Sequence, residues 1–281
     1  MLNLTPVIER IWELLHQNTD QSVTYAALEA RLALEKATYD RLRQRHAYIS
    51  YADLRRWTPG SVINTLLEEV DENIIHTAKL MIGNHPDCDP KDQEYVEIGF
   101  EIGFDPKQVA KLWNSLSSVA LHVRLPKDKD DRIPDYGNRA NIRAKVEDAI
   151  KELERIAKGT MTFSGFGEEV SFVCSCGRVI KRKSGLLQEG KSVSCTNREC
   201  RHSFTVGIDG YGDFKFSFEG AKVPCEECEE IAFVPKRELQ KISFMHPTRL
   251  TCNKCGYVNM ILGKLYRSAR KAETDYETEV S

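Results

Sequence analysis

The chain has 281 residues, 41% of them apolar and 29% charged, with a formal net charge of −2. Length and composition predict an ordinary globular protein of about two domains and exclude a mainly disordered chain. A charge so near zero excludes a whole-chain basic field, so any surface for nucleic acid must come from local clustering. Residues 2–15 carry Glu9, Arg10 and Glu13, so no secretory leader is expected there. No apolar run reaches the ~20 residues of a membrane span. A cytoplasmic protein with reduced thiols is the expectation, with no membrane partner.

The first 158 residues read as helices. Thr5-Pro6 has the form of a helix start, and Val7, Ile8, Ile11, Trp12 and Leu15 then line one face. Asp105-Pro106 repeats that signal ahead of Val109, Leu112, Trp113 and Leu116. Asn138 is placed to cap a charged helix that runs to Lys158 and stops at Gly159. Between these lie a GNHPDCDP loop, residues 83–90, and a solvated linker, residues 126–137. Residues 51–57 read as further helix. In the loop, His85, Asp87, Cys88 and Asp89 are metal-ligand types, but Pro-flanked residues of this kind more often serve turns.

Within this half, residues 28–42 (LEARLALEKATYDRL) resemble a helix-turn-helix. Ala33 and Leu34 stand where the first helix of that family ends. The resemblance implies a recognition helix starting near Lys36, with Thr38, Tyr39, Arg41, Arg43, Arg45 and His46 facing DNA. It covers about residues 22–47; Asp40 on the reading face departs from the pattern, and an ordinary three-helix packing unit is the competing reading. Arg41 and His46 also have the R-x4-H spacing of a helical ribonuclease family, in which the pair cleaves RNA at a dimer interface.

After Gly159 the apolar period changes to two. Val170, Phe172 and Cys174 alternate, as do Phe214, Phe216 and Phe218, with a hairpin loop at residues 209–212 between such runs. The whole chain is therefore expected to be α+β: an all-helical domain over residues 1–158, a β-rich module over 159–220, and a second over 221–281 with a short C-terminal helix or tail.

Eight of the nine cysteines fall in those two modules. Cys174 and Cys176 are followed, after eighteen residues, by Cys195 and Cys200; Cys225 and Cys228 are followed, after twenty-three, by Cys252 and Cys255. Two close cysteines on a tight turn offer two thiolates to one ion, and two facing turns complete a tetrahedron. Gly177 and Gly256 follow their knuckles, where the backbone must turn sharply. The pattern resembles the zinc-ribbon class, which implies two structural zinc ions. The first quartet departs from that class, with C-x-C and C-x4-C in place of two C-x2-C pairs, so interleaving of the quartets stays open. His202 and His246 are nearby alternative ligands. Four thiolates leave zinc no open position, so catalysis by the metal is not expected.

The modules differ in charge. From Ser171 to Val206 the first carries Arg178, Lys181, Arg182, Lys183, Lys191, Arg198 and Arg201 against Glu189 and Glu199; from Val223 to Val258 the second has five acids and five bases, with four of its glutamates around Cys225 and Cys228. Arg178, Lys181, Arg182 and Lys183, joined by Lys36, Arg41, Arg43 and Arg45, are the candidate nucleic-acid contacts. Gly185 to Ser192 has the letters of a phosphate-binding loop, G-x4-G-K-S, yet the knuckle at Cys195 leaves no room for the helix such a loop needs. The expected function is binding of DNA or RNA, as a regulator or an accessory subunit of a larger complex. The alternatives are a protein–protein adaptor and, third, a ribonuclease using Arg41 and His46.

Overall fold

The computed structural model describes residues 2–262, apart from 46, 50–53, 55–56, 86, 88, 90, 123–125, 127, 163–166 and 243–246. The layout is α+β, with two compact units, Met1–Ser217 and Phe218–Ser281. The tail expected after ribbon 2 lies outside the described residues, as does most of the stretch expected as helix over 51–57.

The first unit opens with α1 (Thr5–Gln17) and α2 (Asp20–Gln44). Pro6 enters the first turn of α1, where its missing N–H costs nothing. Thr19 caps α2 through a reciprocal exchange with Ser22. The helix-turn-helix expectation fails here: α2 runs unbroken through Ala33, Leu34 and Lys36. No glycine or proline interrupts it, and its alanines are the strongest helix formers. Ala26, Ala27, Ala30, Ala33 and Ala37 form a buried stripe on which neighbouring helices pack closely.

Those neighbours are α3 (Pro59–Glu69), α4 (Pro106–Ala120) and α5 (Arg139–Ala157). Asp105 caps α4 by accepting from the N–H groups of Lys107 and Gln108, and Asn138 caps α5 by accepting from Asn141, both as the sequence indicates. Ile11, Leu15, Leu34, Leu116, Ile150 and Leu153 fill the core around α2. A full-sized aliphatic side chain buried there contributes about 1.5–3 kcal/mol.

The helical half is not all helix. β1 (Ala78–Gly83) and β2 (Tyr95–Glu101) form an antiparallel hairpin whose loop is the GNHPDCDP segment and its continuation. In β1 the apolar residues Leu80, Met81 and Ile82 run together without alternation, which hides that strand from a periodicity reading, whereas β2 alternates at Val96, Ile98 and Phe100.

Beyond Gly159 the unit continues as β3 (Glu169–Val173) paired with β4 (Val179–Lys183), then β5 (Ser192–Ser194), β6 (Ser203–Ile208) and β7 (Phe214–Phe218) in a three-stranded sheet. Phe172 of β3 stacks on Phe216 at 4.0 Å and meets Phe204 edge-on at 4.9 Å, joining the two sheets. Ribbon 1 is fixed to the helices. Lys191 bonds the Glu68 carbonyl and pairs with Glu69 at 3.2 Å, and the Tyr48 hydroxyl donates to Glu169 at 2.6 Å.

The second unit holds two hairpins, β8 (Gly220–Pro224) with β9 (Ile231–Pro235), and β10 (Thr248–Thr251) with β11 (Val258–Ile261), plus the one-turn α6 (Lys236–Leu239). Few of its described residues are buried: Cys225, Val234, Cys252 and Asn259.

Candidate metal centres and the charged groups around them

In ribbon 1 the knuckle between β3 and β4 carries Cys174 and Cys176, and the segment between β5 and β6 carries Cys195 and Cys200. Their sulfurs all lie within 4.8 Å of one another, and the same holds for Cys225, Cys228, Cys252 and Cys255 in the second unit. The quartets are therefore separate, not interleaved. The closest pairs are Cys174–Cys200 at 3.8 Å, Cys176–Cys195 at 3.7 Å, Cys225–Cys255 at 3.7 Å and Cys228–Cys252 at 3.6 Å. Two sulfurs bound tetrahedrally at about 2.3 Å to one zinc stand about 3.8 Å apart. A disulfide would require about 2.05 Å. Each quartet thus fits one zinc ion, which supplies structural cross-linking.

The local chain explains how the sulfurs are presented. In each C-x2-C knuckle the first cysteine's N–H reaches the carbonyl five residues on, Glu230 for Cys225 and Tyr257 for Cys252. The N–H four residues on returns to the cysteine carbonyl, from Glu229 and Gly256 respectively. The C-x-C knuckle keeps the clamp with one residue fewer: Cys174 donates to the Arg178 carbonyl and accepts from Gly177. The residue closing each loop has a positive φ: Gly177 at 84°, Glu229 at 59° and Gly256 at 75°. Glycine takes that conformation freely, whereas a side chain at Glu229 is strained.

Backbone N–H groups then point at sulfur. Arg178 donates to Cys176, His202 to Cys200, Glu230 to Cys228 and Tyr257 to Cys255, always two residues past the ligand. Such bonds favour the thiolate and spread the net −2 charge of a zinc tetrathiolate. Burial pushes the Cys195 thiol up to about 11, so metal binding there releases a proton and weakens in acid.

Asn259 was not legible as a functional residue. It is buried, accepts from the Glu226 N–H at 3.0 Å and donates toward Cys225 sulfur at 3.6 Å. The one signal was a lone amide inside an apolar strand. Asn197 plays a similar part in ribbon 1, its amide 3.8 Å from Cys176. His202 is not one of the four clustered ligands; its Nδ1 lies 2.8 Å from Ser175 Oγ and 3.4 Å from Cys174 sulfur. His246 lies outside the described residues.

The candidate phosphate contacts separate into two groups. Arg178 and Lys181 are exposed on ribbon 1, and Lys36 and Arg43 on α2, although Arg43 pairs with Asp40 at 2.6 Å. The other four are inside, which corrects their assignment as phosphate contacts. Arg182 shares the inward face of β4 with Ile180 and donates to the carbonyls of Lys181 and Ser194, tying β4 to β5. Lys183 is buried against the Tyr48 ring and pairs with Glu169 at 2.7 Å. Arg41 and Arg45 follow the buried stripe of α2 and converge on Glu101 of β2. Burial first, then the like charge of Arg45, pushes the Arg41 guanidinium below its ordinary range; because arginine keeps its proton, that shift reflects the cost of an interior charge. His46, the partner of Arg41 in the ribonuclease reading, lies outside the described residues.

The G-x4-G-K-S stretch leads into strand β5, not a helix, and its Lys191 is committed to Glu69. Of the loop residues 85, 87, 88 and 89, Cys88 lies outside the described residues, and the others join no clustered ligand set among those described. No helix among the described residues is long and apolar enough to cross a membrane.

An open cleft of about 450 Å³ lies at the tip of ribbon 1, lined by Cys176, Gly177, Arg178, Thr196, Asn197 and Arg198. The two metal knuckles therefore bring together two exposed arginines twenty positions apart in the chain. No family model matches the chain, and neither curated proteins nor solved structures give a significant match.

Proposed function

We propose that this is a zinc-ribbon binding protein whose first ribbon holds the phosphate backbone of a nucleic acid, as a regulator or an accessory subunit. The cleft carries this reading: Arg178 and Arg198 line it together, the Arg178 Nε held by Thr196 Oγ1 at 3.3 Å. Lys181 and Arg201 are exposed on the same ribbon. Part of this positive charge offsets the tetrathiolate at Cys176 and Cys195, and the exposed remainder faces solvent. Guanidinium groups bind phosphate through paired N–H donors, and such contacts position a strand without reading its sequence.

The test is retention of DNA and RNA oligonucleotides across a salt series. Each phosphate contact steepens the salt dependence, by roughly 0.9 for duplex DNA and 0.7 for single strands. Replacing both Arg178 and Arg198 by alanine should weaken binding for all sequences and flatten that slope by about two contacts' worth. Unchanged affinity in the double variant would remove the proposal. A protein-docking reading is supported by a different surface, the hairpin β1–β2, whose strands expose Met81, Ile82, Val96 and Ile98.

A further inference from the structure

We infer that the β1–β2 hairpin is a docking arm that takes an extended, alternately apolar and basic segment of a partner protein as a third strand beside β1. This rests on the protein-docking reading and shares no residue with the nucleic-acid one. A two-stranded hairpin is marginal by itself in water, and here its base is held firmly. Glu101 pairs with buried Arg41 and Arg45, and Arg41 also donates to the Ile102 carbonyl at 2.8 Å. Phe104 N–H bonds the Ile74 carbonyl.

Beyond that base the hairpin exposes what a free surface rarely exposes. Met81 is 44% accessible, Ile82 57%, Val96 62% and Ile98 50%. Ile82 and Val96 are direct cross-strand partners and share one face of the hairpin, while Met81, next along β1 and opposite Glu97, turns to the other. A contiguous patch of this kind on a rigid element marks an interaction site.

The two edges differ. At Phe100 the outer side of β2 is occupied: the N–H groups of Thr160 and Met161 donate to its carbonyl, and Thr160 Oγ1 accepts from its N–H at 2.9 Å. Among the described residues β1 pairs with β2 alone. An open edge strand is a template for another strand. Charge selects the partner. Asp87, Asp89, Asp92 and Glu94 are exposed in the loop that joins the two strands and Glu97 is exposed on β2, against Lys79 on β1 and Lys91 in the loop. Lys79 is already paired with Glu97 at 2.9 Å. This acidic excess repels phosphate and favours lysine or arginine interleaved with apolar side chains.

The test uses the zinc-loaded full chain, with a short peptide of alternating valine and lysine as probe and a valine–glutamate peptide as control. The expected result is slowed amide exchange across residues 78–83, with the lysine peptide binding at least about tenfold more tightly than the control. Replacing Ile82 and Val96 together by threonine, which keeps the β-branch, should weaken the lysine peptide by about tenfold or more. Equal binding of both peptides, or no loss in the threonine variant with its zinc content intact, overturns the proposal. So does a peptide-free dimer broken by the same variant, which would make a second copy the occupant. An oligonucleotide competing for the hairpin would also overturn it, whereas loss of oligonucleotide binding only in the Arg178/Arg198 variant leaves it standing.

Discussion

Asn259 sits on β11 with its side-chain amide 3.6 Å from the sulfur of Cys225, while its carbonyl oxygen accepts from the N–H of Glu226 one residue beyond that ligand. One buried amide thus holds both a zinc ligand and the knuckle that carries it. Groups behind a metal ligand typically set affinity by about 10–100-fold. Asn259→Ala should lose zinc from ribbon 2 to a competing chelator at a concentration lower by at least about tenfold, with ribbon 1 unchanged. Equal chelator resistance in variant and parent would show that the amide only fills space.

Glu229 and Gly256 occupy the same place in two knuckles, each one residue past a ligand and each with positive φ. A non-glycine residue there stores about 1 kcal/mol or more of backbone strain. Glu229→Gly should raise the stability of ribbon 2 by about 0.5–1 kcal/mol, and Gly256→Ala should lower it by a similar amount. Thermal unfolding of the zinc-loaded protein, followed in the second unit, measures both. A destabilised Glu229→Gly would mean that the side chain makes a contact outweighing the strain.

The Arg41–Arg45–Glu101 cluster gives the third prediction. Removing one partner of a buried ion pair leaves an uncompensated charge and typically costs about 3–5 kcal/mol. Glu101→Ala should therefore destabilise the helical core by about that amount, read as a lower urea midpoint. A change below about 1 kcal/mol would place the cluster effectively in water.

The same cluster shows what the sequence made legible. The cysteine quartets, the caps at Asp105 and Asn138, and the change of period near Gly159 are local patterns, and local patterns survive without coordinates. The direction of a charged side chain does not. Charge alone places Arg41 and Arg45 on a DNA-facing surface; periodicity places them inside. Leu34, Ala37, Arg41 and Arg45 lie three or four residues apart, on the face α2 buries. Arg182 follows the same logic, one alternation past Ile180 on β4. Their partners, Glu101 and the Ser194 carbonyl, come from distant segments whose approach no local pattern announces. The hairpin β1–β2 is hidden for another reason: β2 alternates at Val96, Ile98 and Phe100, but its partner β1 is a plain run, Leu80 to Ile82, on whose exposed faces nothing imposes alternation.

Acid and alkali should loosen the junction between ribbon 1 and the helices through Tyr48 and Glu169. The hydrogen bond from Lys183, then that from Tyr48, holds the Glu169 carboxyl below its ordinary value. Its stabilisation is present above the unfolded carboxylate range and lost as pH falls through the depressed value. Burial, then the bond to Glu169, pushes the Tyr48 hydroxyl from 10.0 up to about 12. That contribution is present below pH 10 and lost as pH rises through about 12. Amide exchange of β3 and β4 should quicken at both extremes, and the acid limb should shrink in Glu169→Gln. An acid limb of equal size in the variant would assign it to zinc release alone.

Metal removal should divide the protein unequally. A structural zinc site contributes on the order of 10 kcal/mol to folding in small metal-dependent modules. The second unit has almost nothing else: of its four buried described residues, two are ligands, one is the amide behind a ligand, and only Val234 is an aliphatic core side chain. Ribbon 1 keeps Ile180, Val193, Phe204 and Val206 buried, with Phe172 and Phe216 stacked beside them. It is also tied to the helices by Lys191 and Glu169. Cys252→Ser should therefore abolish amide protection throughout β8–β11 while leaving β3–β7 and the helices as they were. The matching Cys195→Ser should open the knuckle at Cys174 and Cys176, yet leave residual protection at Ile180 and Phe204. Equal collapse of both ribbons would mean that the aromatic cluster has no stability of its own. Persistent protection of β8–β11 in Cys252→Ser would show that the four sulfurs are not what holds the second unit together.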